Sequence, residues 1–92
     1  MNIEWDPRKA LENVRKHNVD FADAVISLED DFALTIEDTD NNEQRFKTLG
    51  MGPNLKILFV VYAYSEDDVI RIISARNADP GETKYYYQGL PI

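Results

Sequence analysis

The sequence predicts an α+β fold, and three observations carry that reading. Two apolar stretches near the N-terminus repeat at helical spacing. Between residues 32 and 76 the period changes to two. An Asp-Pro pair that opens the first helix, Asp6-Pro7, returns as Asp79-Pro80 to open another. The expected order is β-α-α-β-β-β-β-α in one domain spanning 1–92. It comprises a small, mainly antiparallel sheet flanked by two N-terminal helices and a short C-terminal helix.

Ile3-Glu4-Trp5 alternates and is aromatic, so it reads as an edge strand. Asp6 then supplies an N-cap carboxylate, and Pro7 sits where its missing N–H costs nothing. Ala10, Leu11, Val14 and His17 form the expected apolar stripe of this first helix, and Asn18 suits the left-handed residue that ends it. A second helix begins at once: Val19 as staple against Ala24, Asp20 as N-cap, and Phe21, Ala24, Val25 and Leu28 as the buried face. Glu29-Asp30-Asp31 opposes the helix dipole and should end it.

Phe32, Leu34 and Ile36 alternate as a strand, followed by a turn at 38–42. From Gln44 to Leu49 the alternation puts Arg45 and Lys47 on one face and Phe46 on the other. A loop is expected at 50–54. Residues 55–64 are almost continuously apolar and mark the central strand. A hairpin loop at 65–68 leads to a last strand, 69–76. Asp79 and Glu82 complete a capping-box pattern ahead of a helix with Tyr85, Tyr86 and Tyr87, at least one of which belongs to the core.

The chain has 92 residues, 43% hydrophobic and 29% charged, with a net charge of −7. That length supports one modest core, burying roughly 60–70% of the surface the unfolded chain exposes. Aromatic and β-branched residues exclude a disordered chain. No apolar run approaches a membrane span, and the N-terminus carries no basic-then-apolar leader pattern. With no cysteine there is no disulfide framework and no thiolate metal site, so a cytoplasmic location is expected. The charge is unevenly placed. Residues 25–43 hold seven acidic and no basic side chains, whereas 44–65 hold Arg45, Lys47 and Lys56 with no acid. An acidic total therefore does not exclude a local surface for phosphate.

One His and scattered carboxylates do not build a zinc site. The acidic run 38–43 lacks the central Gly and terminal Glu of a hand-type calcium loop and reads as a solvated turn. Gly50-Met51-Gly52 matches no nucleotide loop, and no Ser sits in a nucleophile elbow. No metal and no cofactor is expected. What remains is a set suited to phosphate chemistry without metal: His17, Arg45, Arg71, Arg76, Glu82 and the tyrosines. Cleaving RNA through its own 2′-OH needs a proton acceptor, a proton donor and cations around the negative phosphorane. Each residue also has a plain structural use: His17 as a helix C-terminal dipole partner, Arg71 and Arg76 as ion-pair partners, Glu82 as the cap. Strand alternation adds a condition. Arg71 and Arg76 fall on opposite faces of a regular strand, and share a face only if a bulge intervenes or Arg76 lies past the strand end.

The block Arg71-Ile72-Ile73-Ser74-Ala75-Arg76, followed by Ala78, Glu82 and Tyr86, is the most specific piece of the chain. With Ile3-Glu4-Trp5-Asp6-Pro7, Lys9, Asn13, Lys16-His17, Val19-Asp20-Phe21, Ala24 and Glu43-Gln44-Arg45, it resembles the BrnT-type toxins of bacterial type II toxin–antitoxin systems. The resemblance spans nearly the whole chain in order. It implies a RelE-like α+β fold and a ribosome-independent endoribonuclease that works without metal. It also implies a BrnA-like antitoxin that neutralises the toxin and carries it to operator DNA. Carried residue by residue, it implies a working set of His17, Arg71, Arg76 and Glu82 for catalysis. His17 would serve proton transfer and the arginines the phosphate and transition-state charge. Arg45, with Lys47 and Lys56 from the basic stretch, would bind RNA. Homo-oligomerisation stays open. Two departures stand out: Asn18 where the family usually has Gly, and a segment 77–84 with a single Lys where the family is usually rich in Arg and Lys. The second motivates an alternative, a catalytically weak or inactive toxin-like module that docks an antitoxin. In that case the acidic 25–43 segment would meet a basic partner. A third reading is a structural protein with no nucleic-acid role.

Overall fold

Local capping chemistry positions all three helices. In the computed structural model, which describes residues 2–38, 43–65 and 67–90, the chain runs β1 (Asn2–Glu4), α1 (Pro7–His17), α2 (Phe21–Leu28), β2 (Leu34–Asp38), β3 (Arg45–Met51), a 3-10 turn (Pro53–Leu55), β4 (Ile57–Tyr64), β5 (Val69–Asn77) and α3 (Pro80–Gln88). Asp6 accepts from Arg8 N at 2.8 Å and Asp20 from Ala22 N at 3.0 Å. Asp79 and Glu82 form the reciprocal box that starts α3. Asn18 ends α1 at φ 54°, the left-handed geometry that Asn tolerates. The predicted element order is met, as is the α+β class. Of the turn expected at 38–42 and the calcium-like run 38–43, residues 39–42 lie outside the described residues, as does Glu66 in the hairpin loop.

The five strands form one sheet in the order β1-β5-β4-β3-β2, with β4 in the centre. Three pairings are antiparallel. The β1–β5 pairing is parallel, because two helices separate β1 from the rest of the sheet and return the chain to the same end. Side chains at paired positions share a face, so the register divides the sheet in two. One face carries Val60, Ile70, Ile72 and Ala75 under Phe21 and Ala24 of α2, and this is the main core. Fully burying Val60, Ile72 or Phe21 stabilises the fold by about 1.5–3 kcal/mol each. Trp5 closes one end, edge-on to Phe21 at 6.0 Å. The other face carries Leu49, Ile57 and Phe59, and α3 covers only that end of it by burying Tyr86, the core member of the three tyrosines.

Several local expectations are corrected. Leu11 and Val14 of the expected α1 stripe are 54% and 38% exposed, and the buried residue of the helix is Asn13. The reason is tertiary. The β1–β5 pairing ends at Arg71, which leaves the next stretch of the β5 edge without a strand neighbour. α1 packs along that edge, and the Asn13 carboxamide stands in for the missing strand. Its Nδ2 donates to Ala75 O at 2.7 Å and to Val19 O at 2.9 Å, and its Oδ1 accepts from Ala75 N at 3.0 Å. Phe32 lies in a turn, half exposed, because Asp30 caps that turn through Phe32 N. Asp38, assigned to a turn, ends β2 opposite Arg45. Gly50 and Met51 belong to β3 and not to a loop. A Cβ on Gly50 would sit 2.1 Å from Ser27 O, so the glycine lets α2 touch the sheet, and Ser27 Oγ donates to Gly50 O at 2.6 Å. Leu55 belongs to the turn before β4. There Asn54 and Leu55 both take positive φ, and Gly52 N donates to Lys56 O at 2.8 Å to close the reversal.

Candidate functional site

The part of the second sheet face that α3 leaves uncovered gathers most of the cations singled out in the sequence. A bulge in β5 makes this so. Val61 pairs with Ser74 and Tyr62 with Ile72, which leaves Ile73 as the extra residue. Past it the alternation resumes one residue out of phase. Arg71, Ser74 and Arg76 therefore share a face, opposite Ala63, Val61 and Phe59 of β4. The bulge meets the condition the alternation imposed. Arg45 and Lys47 pair with Ala63 and Val61 and lie on this same face. Arg45 and Arg71 flank Ala63 in one row. Arg76 lies five residues further along β5, which the bulge shortens to four positions of β4, roughly 13 Å away at ordinary strand rise.

Each of these cations meets a carboxylate. Glu43 bridges Arg45, at 3.0 Å, and Arg71, whose Nη2 lies 3.2 and 2.9 Å from its two oxygens. The Arg45 bond first, and Arg71 after it, holds the Glu43 carboxyl below its usual range. Lys47 pairs with Asp38 at 3.7 Å. Arg76 and Glu82 form a two-bond fork at 2.7 and 2.9 Å, and the guanidinium also lies 4.2 Å from the centroid of Phe59. Asp38 and Glu43 come from the acidic stretch, so part of that stretch folds back on the chain's own cations. Asp30, from the same stretch, serves the core. It accepts from Met51 N at 2.8 Å, from Phe32 N at 3.0 Å and from the Tyr86 phenol. Burial pushes the Asp30 carboxyl up, but these three bonds outweigh it and leave it below the usual range; burial and the same carboxylate push the Tyr86 phenol well up.

Glu82 has both oxygens engaged. Oε1 accepts from Arg76 and from Asp79 N, and Oε2 accepts from Arg76. The Arg76 bond holds its carboxyl below the usual range, which leaves Glu82 an ion-pair and cap partner and a poor proton carrier. His17 ends α1 and is exposed. It lines a shallow depression of about 190 Å³ with Lys9, Glu12, Lys16, Ile73 and Ser74. His17 therefore shares this depression with Ser74, which lies next to the bulge on the edge of the cationic face. Lys56 is not part of that face. It lies at the far end of β4 in a separate depression with Asn18, Asp23, Pro53 and Asn77. Among the described residues, no group of three or more His, Asp or Glu side chains is placed to hold a metal ion. Sequence reasoning missed the support role of Asn13, although the residue belonged to the family pattern. It also missed Glu43 as a bridge. The Glu43-Gln44-Arg45 spacing was the available signal, since residues two apart on an extended chain share a side.

These features define a small α+β protein with one helix-covered face and one open, arginine-bearing face. A family model described as the ribonuclease toxin BrnT of type II toxin–antitoxin systems matches residues 5–82. The chain belongs to the BrnT family of ribonuclease toxins, and membership in a type II system implies an antitoxin partner. Its fold is similar to that of the Brucella abortus ribonuclease toxin BrnT, known from a 1.1 Å crystal structure. The TM-score is 0.65 at 27% sequence identity, covering 86% of this chain and 97% of that one. No curated protein matches the sequence. No helix among the described residues is long and apolar enough to cross a membrane.

Proposed function

We propose that this chain is a metal-independent endoribonuclease that binds the RNA backbone on its open sheet face and is neutralised by a BrnA-like antitoxin. The observation that carries the reading is the β5 bulge, which puts Arg71 and Arg76 on one face with Arg45 and Lys47. Attack of the neighbouring 2′-oxygen on phosphorus, with departure of the 5′-oxygen, passes through a five-coordinate phosphorane whose non-bridging oxygens carry the added negative charge. Guanidiniums aimed at that charge supply the largest single stabilising term. Arg71, backed by Arg45, is the principal phosphate ligand. Arg76 is held in place by Glu82 and Phe59, so Glu82 acts as a positioning residue. His17, at the rim beside Ser74, exchanges protons with the 2′-OH or the leaving 5′-oxygen. Lys56 adds general attraction from the far end. Phosphate must displace Glu43 from Arg45 and Arg71. Exposed ion pairs are worth little net free energy, so this exchange is accessible. Operator DNA is reached only through the antitoxin, in the cytoplasm.

The test is RNA cleavage in excess chelator by the wild type, Arg71→Ala and His17→Ala. Wild type should cleave, and each variant should lose about 10²-fold or more, the scale of removing one transition-state donor or one general acid–base group. A folded Arg71→Ala that cleaves like the wild type overturns the assignment. A second reading is favoured by one specific observation, that Arg45, Lys47, Arg71 and Arg76 each carry a carboxylate partner. In that reading the chain is a toxin-like module that only docks its antitoxin. It calls for intact RNA alongside salt-sensitive association with a small basic partner.

A further inference from the structure

Next to the arginine row the open face holds a second feature that the cleavage reading does not use. Leu34 and Ile36 of β2, Lys47 and Leu49 of β3, Phe59 of β4 and Tyr85 of α3 wall a pocket of about 170 Å³. Its walls are mostly apolar, yet Ile36 is 64% and Tyr85 62% exposed. Tyr86 on the same helix is fully buried, so α3 uses one tyrosine for the core and presents its neighbour to the pocket mouth. Among the described residues the Tyr85 side chain makes no hydrogen bond and no ring contact, so its ring and its phenol are both unused, while its backbone carbonyl accepts from Gly89 N within the helix end. The pocket is also continuous with the cations. Lys47 forms part of its wall, and Phe59 is the ring on which the Arg76 guanidinium lies.

An apolar slot the size of one ring system, with an unused aromatic at its mouth and cations at its rim, fits a flat heterocycle attached to a phosphate chain. We infer that this pocket receives one unstacked nucleobase of a single-stranded RNA, with Tyr85 stacking on it while the adjoining phosphates lie on Arg76 and Arg71. The inference rests on the RNA reading above and sharpens it to a substrate class. In a duplex the bases are stacked and paired, and their faces cannot reach such a slot. In a single strand they can swing out onto an aromatic side chain. Stacking is largely blind to salt, whereas the phosphate contacts release counterions, so the two contributions separate experimentally.

The experiment measures binding of a fluorescent 2′-O-methyl oligoribonucleotide, which cannot be cleaved because its 2′-oxygen is blocked. It is offered as a single strand and as a duplex to wild type, Tyr85→Phe, Tyr85→Ala and Arg71→Ala. Binding of a purified antitoxin segment to the same proteins runs alongside. The expected result is preference of the wild type for the single strand. Tyr85→Ala should weaken binding about 5- to 150-fold, the range of one lost base–aromatic stack, with an unchanged salt slope. Tyr85→Phe should bind like the wild type. Equal binding by Tyr85→Ala and wild type, with Arg71→Ala impaired, overturns the base pocket and leaves the RNA reading standing. Equal affinity for the duplex also overturns it. Loss of antitoxin binding by Tyr85→Ala with RNA binding intact assigns the pocket to the protein partner and overturns the inference. A wild type that binds neither RNA form overturns both. Because Tyr85 is exposed, unaltered thermal unfolding of Tyr85→Ala is expected to accompany every arm.

Discussion

Replacing Asn13 by Ala should be among the most damaging single changes at a polar position in this protein. The side chain is 5% exposed and makes three hydrogen bonds to backbone, two to Ala75 and one to Val19. Truncation removes all three and leaves Ala75 N–H, Ala75 C=O and Val19 C=O without their partner. A lost bond costs about 1 kcal/mol net, and a buried group left unpaired about 1–3 kcal/mol. The depression lined by Asn13 and His17 opens to solvent, so water can reach part of the gap, which places the expected loss near the lower end, at about 3–4 kcal/mol. A domain of this size has only roughly 5–14 kcal/mol of stability in total. The assay is urea unfolding, where the midpoint should fall with an unchanged denaturant slope. Asn13→Asp keeps one acceptor for Ala75 N–H but turns a carboxylate oxygen toward two carbonyls, and should be no better than Ala. A loss below about 1 kcal/mol for Asn13→Ala would refute the idea that a side-chain amide replaces a strand at the β5 edge.

Other outcomes follow from the same geometry. Gly50→Ala drives a methyl into Ser27 O, forces α2 off the sheet and should cost about 2–3 kcal/mol, read as a lower thermal midpoint. Asp30 has a carboxyl lowered in the folded state, so its contribution is present above the unfolded value near 3.9 and is lost as pH falls through the folded value. Tyr86→Phe removes one of the lowering bonds. It should cost about 1–2 kcal/mol at neutral pH and move the onset of acid unfolding to higher pH, followed by fluorescence. Glu43→Gln removes the bridging charge from Arg45 and Arg71. It should tighten RNA binding and steepen the plot of log affinity against log salt by about 0.7, the value per added phosphate contact on a single strand. An unchanged slope would mean that phosphate never competes with Glu43.

What was legible in the sequence is what depends on neighbours along the chain. Asp6, Asp20 and the Asp79–Glu82 box announce the three helices because a cap bonds within its own first turn. The alternation at 44–49 put Arg45 and Lys47 on one face, where they lie, because strand geometry has a period of two. Residues 71–76 were harder. Alternation alone separates Arg71 from Arg76, and it could state the bulge as a condition but not supply it, since a bulge is a property of the pairing with β4. The α1 stripe failed for a related reason. Leu11 and Val14 satisfy the helical period, but the orientation of α1 is set by Asn13 reaching Ala75, sixty-two positions away. Gly50 looked like a loop residue until α2 was found lying against it. Segment arithmetic located the acidic excess without revealing that Asp38 and Glu43 turn back onto Lys47, Arg45 and Arg71.

The extra residue in β5 ties the length of this strand to its irregularity. Delete Ile73 and the strand closes into plain alternation, with Ile70, Ile72 and Ala75 still on the helix-covered face and Arg71, Ser74 and Arg76 still on the open one. What the strand cannot do is keep its nine residues and lose the bulge. If its first half then holds its place, Arg76 swings into the helix-covered core. If its second half does, Arg71 goes inside while Ile70 and Ile72 come out into water. Descendants of this sequence should therefore pair nine residues with a bulge or eight residues with none, and never mix the two.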